Sequence, residues 1–183
     1  SSQTLSKDKT LAELPAKLKT YEGWYRNNRT GYGMQILLKD EALVADNRTP
    51  LIPVKDGVFK MGGDVLSFDK AKAFKLVNYD NDTTNYTPEP PADLTLQTGK
   101  TYTGTYFSEE AQSGMNVVQK GDSLMITLNS YTSYLLKPTY KDAFRIIDFG
   151  GVACFERDSD NNIIRMKIYK SRARNVEFVK TTK

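Results

Sequence analysis

Ser6-Lys7-Asp8-Lys9 carries a Ser-x-x-Lys spacing, which at a helix start can set a serine hydroxyl beside the lysine that activates it. Tyr79-Asp80-Asn81 supplies a Tyr-x-Asn triplet of the kind that assists such a serine, but a Lys-Thr-Gly triplet is absent. Histidine is absent altogether, which removes the commonest general base and the commonest metal ligand. Ser-His-Asp and Cys-His arrangements are therefore impossible within this chain. The lone Cys154 cannot form an internal disulfide and, without histidine, does not suggest a zinc site. Ser6 lies in a polar tail and Tyr79-Asp80-Asn81 runs from a strand end into a turn, so neither match has the surroundings that the chemistry needs. The expectation is a chain that is not an enzyme, with no catalytic residues, no cofactor and no metal.

Asp40, Asp56, Asp80, Asp82, Asp122, Asp142, Asp158 and Asp160 nearly all fall at expected turns, where short carboxylates cap nearby backbone groups. Asp158-Ser159-Asp160-Asn161-Asn162 lacks the central glycine and closing glutamate of an EF-hand calcium loop. The densest basic stretch is Lys167, Lys170, Arg172, Arg174, Lys180 and Lys183, within a net charge of +4. No base-stacking motif accompanies it, so a solvated strand face is expected and no nucleic-acid partner. Cys154 reads as a small buried hydrophobe. No apolar run reaches membrane-spanning length.

The elements that must position these residues come in duplicate. Tyr21-Glu22-Gly23-Trp24-Tyr25 returns as Tyr102-Thr103-Gly104-Thr105-Tyr106, Gly33-Met34 as Gly114-Met115, and Leu43 as Leu124, all at one offset of 81 positions (Tyr21 to Tyr102). Beyond these, Pro53 answers Pro138, Phe59 answers Phe144, Phe68 answers Phe155 and Tyr79 answers Tyr169. Period-two alternation broken by turn signals predicts strands at 21–26, 33–39, 42–46, 50–54, 58–61, 64–68, 72–79 and 84–87. The second copy predicts 102–107, 113–119, 123–128, 132–137, 143–147, 151–156, 162–169 and 174–180. Connections this short permit only antiparallel neighbours, and such a meander removes its edges by closing into a barrel.

The predicted fold is thus all-β: two tandem antiparallel up-and-down meanders forming small barrels, after a short N-terminal helix. Residues 1–20 form a linker and that helix, 21–87 the first barrel-like repeat, 88–101 a Pro-rich linker and 102–183 the second repeat. The helix is expected from the Thr10-Leu11-Ala12-Glu13 capping box and the shared face of Leu11, Leu14 and Leu18, and should end before Tyr21. Thr87-Pro88-Glu89-Pro90-Pro91 reads as a stiff spacer, and Leu94 and Leu96 as a short docking turn.

The Tyr-x-Gly-x-Tyr signature is the most specific motif. On a strand Tyr21, Gly23 and Tyr25 share one face, as do Tyr102, Gly104 and Tyr106. The glycine leaves a gap for a covering aromatic and permits sharp coiling. An aromatic-lined hollow of this kind could hold a small apolar ligand; packing by side chains is the expectation, as is usual in eight-stranded barrels.

The second copy resembles the C-terminal lipocalin-like domain attached to serine hydrolases of the β-lactamase and penicillin-binding-protein superfamily. The matching stretches are Tyr102-Thr103-Gly104-Thr105-Tyr106-Phe107-Ser108-Glu109-Glu110, Gly121-Asp122-Ser123-Leu124, Leu136-Lys137-Pro138, Lys141-Asp142-Ala143-Phe144, Phe155-Glu156-Arg157-Asp158 and Arg172-Ala173-Arg174-Asn175-Val176-Glu177-Phe178. The first copy is similar through Leu18-Lys19-Thr20-Tyr21-Glu22-Gly23-Trp24-Tyr25 and Pro50-Leu51-Ile52-Pro53-Val54. The resemblance implies a non-catalytic accessory module of an exported hydrolase of the periplasm or cell envelope, its partner being an upstream catalytic domain of the same polypeptide. The alternative is a free-standing binder of a small apolar ligand. An accessory module needs a docking patch, expected in the loops after the signature strands. Arg26, Arg29 and Tyr32 carry it in the first, and Ser108-Glu109-Glu110-Ala111-Gln112-Ser113 forms the second.

Overall fold

The computed structural model describes residues 15–170 and 173–181. The chain divides into two compact units, one containing Gly33–Glu89 with the residues leading up to Arg29, the other Thr30–Tyr32 and the chain from Pro90 onward. Each holds a closed eight-stranded antiparallel barrel in simple meander order. The first barrel has β1 (Gly23–Asn27), β2 (Gly33–Lys39), β3 (Ala42–Ala45), β4 (Thr49–Lys55), β5 (Val58–Met61), β6 (Asp64–Phe68), β7 (Phe74–Val77) and β8 (Thr83–Glu89), closed by β1 pairing with β8. The second has β9 (Gly104–Ser108), β10 (Ser113–Lys120), β11 (Ser123–Thr127), β12 (Ser133–Pro138), β13 (Ala143–Ile146), β14 (Val152–Arg157), β15 (Ile163–Lys170) and β16 (Ala173–Lys180), closed by β16 pairing with β9. The repeats therefore close separately.

Residues 15–19 are helical, and Leu18 from this turn is buried in the first core. The Thr10-Leu11-Ala12-Glu13 capping box, with Leu11 and Leu14, lies outside the described residues, as does Ser6-Lys7-Asp8-Lys9. A second helix, Leu96–Gly99, starts at Thr95, whose side chain accepts from the Thr98 amide while Thr98 caps back. Leu94 packs on the second core, whereas Leu96 is exposed. No described helix is long and apolar enough to cross a membrane.

Period-two alternation sends one face of each strand inward. Tyr25, Ile36, Leu43, Leu51, Phe59, Leu66 and Phe74 are buried in the first barrel, and Tyr106, Val117, Leu124, Leu136, Phe144, Phe155 and Met166 in the second. Each large apolar side chain so buried contributes about 1.5–3 kcal/mol. The aromatic packing repeats with the sequence. Tyr21 lies against Phe59 and Phe68 at 5.3 and 4.6 Å between ring centres, and Tyr102 against Phe144 and Phe155 at 5.2 and 5.0 Å.

Two expectations need correction. Thr87-Pro88-Glu89 is no spacer: it ends β8, with Pro88 opposite Tyr25. Pro90 and Pro91 are held by the second barrel, Lys141 N donating to Pro90 O at 2.8 Å and Pro91 bridging to Tyr140. The pairing of Tyr79 with Tyr169 also fails. Tyr79 is an exposed turn residue, while Tyr169 lies in β15, a strand longer than its counterpart β7.

Candidate functional site

Tyr25 and Tyr106 each turn their phenol back toward the residue four positions earlier. Tyr25 Oη donates to Tyr21 O at 2.8 Å, and Tyr106 Oη to Tyr102 O at 2.6 Å. Burial pushes the Tyr25 phenol up to about 12. It raises Tyr106 and Tyr102 as well. These hydroxyls are held as neutral donors, which suits structure rather than proton transfer.

The signature glycines do a different job from the one expected. Gly23 and Gly104 have φ of +144° and +145°, a conformation that favours glycine. The nearest neighbours of the two sites are not aromatic rings. A Cβ on Gly23 would meet nothing within 4 Å, and one on Gly104 would strike Lys180 Cε at 2.8 Å. The requirement is backbone geometry at the point where each chain enters its barrel.

Below the second signature sits a polar cluster. Tyr102 Oη donates to Asp142 Oδ1 at 2.7 Å, and Arg157 grips the same carboxylate through Nε at 3.0 and 3.1 Å and Nη2 at 2.7 Å. Arg157 Nη1 donates to Asn161 O, and its guanidinium lies 5.4 Å from the Tyr102 ring centre. The Asp142 hydrogen bond raises the Arg157 pKa further, so the guanidinium stays charged. The two side chains are only 14% and 17% exposed. Every strong group is spent on another, which makes the cluster a clasp.

Lys180, at the end of β16, folds across Gly104. Its Nζ donates to Thr101 O at 2.9 Å and lies 5.8 Å from the Tyr106 ring centre. Burial, with a smaller contribution from Arg157, lowers its pKa. Beside it runs a groove of about 760 Å³ between the 100–101 segment, the turn from β14 to β15 and the end of β16.

The residues expected to dock a partner are engaged within the fold. Arg26 Nε donates to Glu89 at 2.8 Å, and Arg29 donates to Asp82 at 3.1 Å and to Thr83 O. Tyr32 is grouped with the second unit, where its hydroxyl accepts from Gly151 N at 2.9 Å. In the second expected loop, Ser108 is buried and its Oγ accepts from Ala111 N, while residues 109–113 are exposed.

Of the basic C-terminal stretch, Lys167 pairs with Glu156 and Lys170 lies over the Phe149 ring at 3.8 Å. Arg172 and Lys183 fall outside the described residues. Asp158 caps its own turn by accepting from Asp160 N and Asn162 N. Among the described residues, no group of three His, Cys, Asp or Glu side chains could hold a metal. Cys154 is half-buried, with Sγ 3.4 Å from Tyr140 Oη.

The clasp and Lys180 were not singled out by sequence. The available signal was the difference between copies: Gly57 stands where Asp142 stands, and Pro88 where Lys180 stands. The chain matches no family model and no curated protein.

Proposed function

We propose that the chain is a non-catalytic accessory module of an exported serine hydrolase, shaping substrate access or assembly of a catalytic domain carried by the same polypeptide. The observation that carries this reading is the packing of both barrels. Aromatic and aliphatic side chains occupy the interiors where a carrier would hold its ligand. A rigid closed barrel without sheet edges suits a module whose outer surface does the work. The same packing favours this reading over a carrier of a small apolar ligand. The resemblance of the signature stretches to lipocalin-like hydrolase tails supplies the partner class.

The isolated chain is expected to leave nitrocefin, p-nitrophenyl esters and D-alanyl peptides intact. Turnover above buffer that disappears on Ser6→Ala would overturn the non-catalytic reading. In the full polypeptide, removing residues 102–183 should alter substrate range or assembly while a β-lactam still acylates the hydrolase serine. Unchanged range and assembly would overturn the accessory role.

A further inference from the structure

The two barrels provide an internal comparison that isolates Lys180. Lys180 pairs with Tyr106 across the closing seam of the second barrel, and Pro88 pairs with Tyr25 across the seam of the first. Both tyrosines make the same hydrogen bond to a carbonyl four residues back, and both seams run beside a glycine near φ +145°. The first barrel therefore closes with an uncharged residue at this point. In the second, a lysine amine is drawn partly out of water, which disfavours its charged form. Barrel closure does not require a cation there.

What Lys180 faces supplies a reason for it. The adjoining groove is lined by Lys180 and Lys100, by Asn161 and Asn162, and by the aliphatic Ile164 and Val179. Val179 is 52% exposed, an aliphatic side chain left in water on the groove wall. Nζ of Lys180 spends one hydrogen on Thr101 O, and an ammonium has three to donate. The Asp158 carboxylate on the groove wall is turned to its own loop amides. Arg157, close enough to depress Lys180, is itself balanced by Asp142 within the clasp.

We infer that this groove is a binding site for a small amphipathic carboxylate, its anionic head on Lys180 and Lys100 and its short aliphatic body along Ile164 and Val179. The site lies on the outside of the second barrel and stands or falls independently of the accessory-module reading. The two cations give the head its charge-assisted hydrogen bonds. The aliphatic wall gives the body a surface that loses water on binding.

The experiment is a titration of the ¹⁵N-labelled 183-residue chain with sodium octanoate, in parallel with octanamide, sodium acetate and inorganic phosphate. Octanoate should produce saturable shifts at the amides of Thr101, Asn162, Ile164 and Lys180. Octanamide, which keeps the body and loses the charge, and acetate, which keeps the charge and loses the body, should each bind at least about tenfold more weakly, 1.4 kcal/mol per factor of ten. Lys180→Met should weaken octanoate by a similar factor, and Lys100→Met provides a second variant on an exposed position outside the strands. Absence of saturable shifts overturns the proposal, as does equal binding of octanamide or of both lysine variants. Phosphate binding as tightly as octanoate would overturn the amphipathic class and leave a simple anion site. The ligand comparisons on the unaltered chain decide the matter even if Lys180→Met does not fold.

Discussion

Gly57 and Asp142 hold the same left-handed turn position in their respective barrels, with φ of +68° and +60°. Each offers its carbonyl to the amide of the equivalent phenylalanine, Phe68 at 2.8 Å and Phe155 at 2.7 Å. Over each lies the equivalent tyrosine: Tyr21 Oη would be 3.7 Å from a Cβ on Gly57, and Tyr102 Oη donates to Asp142. Glycine takes this conformation without strain, whereas aspartate takes it at some cost. The second barrel accepts that cost and gains the clasp to Arg157.

The first prediction follows from this substitution within the molecule. Asp142→Gly relieves the turn but strands the Arg157 guanidinium and the Tyr102 hydroxyl without their acceptor. The expected loss of stability is about 2–4 kcal/mol, since an orphaned, mostly buried charge is costly. Asp142→Gly combined with Arg157→Met should cost less than Asp142→Gly alone. Denaturant unfolding followed by tyrosine near-UV circular dichroism measures both. A double variant weaker than the single by the full cost of Arg157→Met would show that the two residues are not coupled.

The second prediction concerns Gly23. With open space around it, Gly23→Ala tests backbone conformation alone, and a residue forced into this region costs about 1–3 kcal/mol. Gly63→Ala is the control, because Gly63 has open space and no positive φ. Gly23→Ala should lower the melting temperature and Gly63→Ala should leave it nearly unchanged. Equal melting temperatures for the two variants would contradict the conformational requirement.

Most of the strand plan was legible because turn residues punctuate it: Asp40, Asp56-Gly57, Gly62-Gly63 and Gly121-Asp122 all sit between strands as their chemistry demands. Pro88 misled because proline cannot donate to a ladder, yet it stands in β8 opposite Tyr25. The glycine requirement of the signature was visible, but its cause was not, because a φ value leaves no trace in side-chain periodicity. The clasp was hidden for another reason. Asp142 looks like any turn aspartate and Arg157 like any surface arginine, and their link to Tyr102 spans 40 positions from Asp142 and closes only when the barrel does.

A third prediction is alkaline lability. An unfolded tyrosine ionises near pH ~10. Folded Tyr25 keeps its proton up to about 12, because burial disfavours the phenolate. Below the unfolded value neither state is ionised and stability is complete. Between the two values the unfolded state releases a proton that the folded state retains, so stability falls as pH rises, by ~1.4 kcal/mol per pH unit for each such phenol. Tyr25→Phe should lose about 1 kcal/mol at pH 7 with its hydrogen bond to Tyr21 O, yet show a shallower decline above pH ~10. Identical slopes for Tyr25→Phe and the unaltered chain would contradict this.

The last prediction concerns the outer face of β14, β15 and β16, where four charges alternate. Arg165 reaches Glu177 at 3.0 Å and Glu156 at 3.4 Å, and Lys167 reaches Glu156 at 2.5 Å. Arg165 stands opposite Glu156 on one side, and Lys167 opposite Glu177 on the other. Arg165 is thus the cation between two carboxylates on flanking strands. Arg165→Met keeps much of the aliphatic stem but leaves Lys167 to balance both Glu156 and Glu177 across β15. At low ionic strength the expected cost is up to about 1 kcal/mol, as for other partly exposed pairs. In 1 M NaCl the Debye length shrinks to ~3 Å and most of that cost should vanish. Adding Glu156→Gln and Glu177→Gln to Arg165→Met should recover part of that cost at low salt, because the excess negative charge is gone even though Lys167 loses its partner. A penalty that persists unchanged in 1 M NaCl and in the triple variant would assign Arg165 a packing role in place of a charge-balancing one.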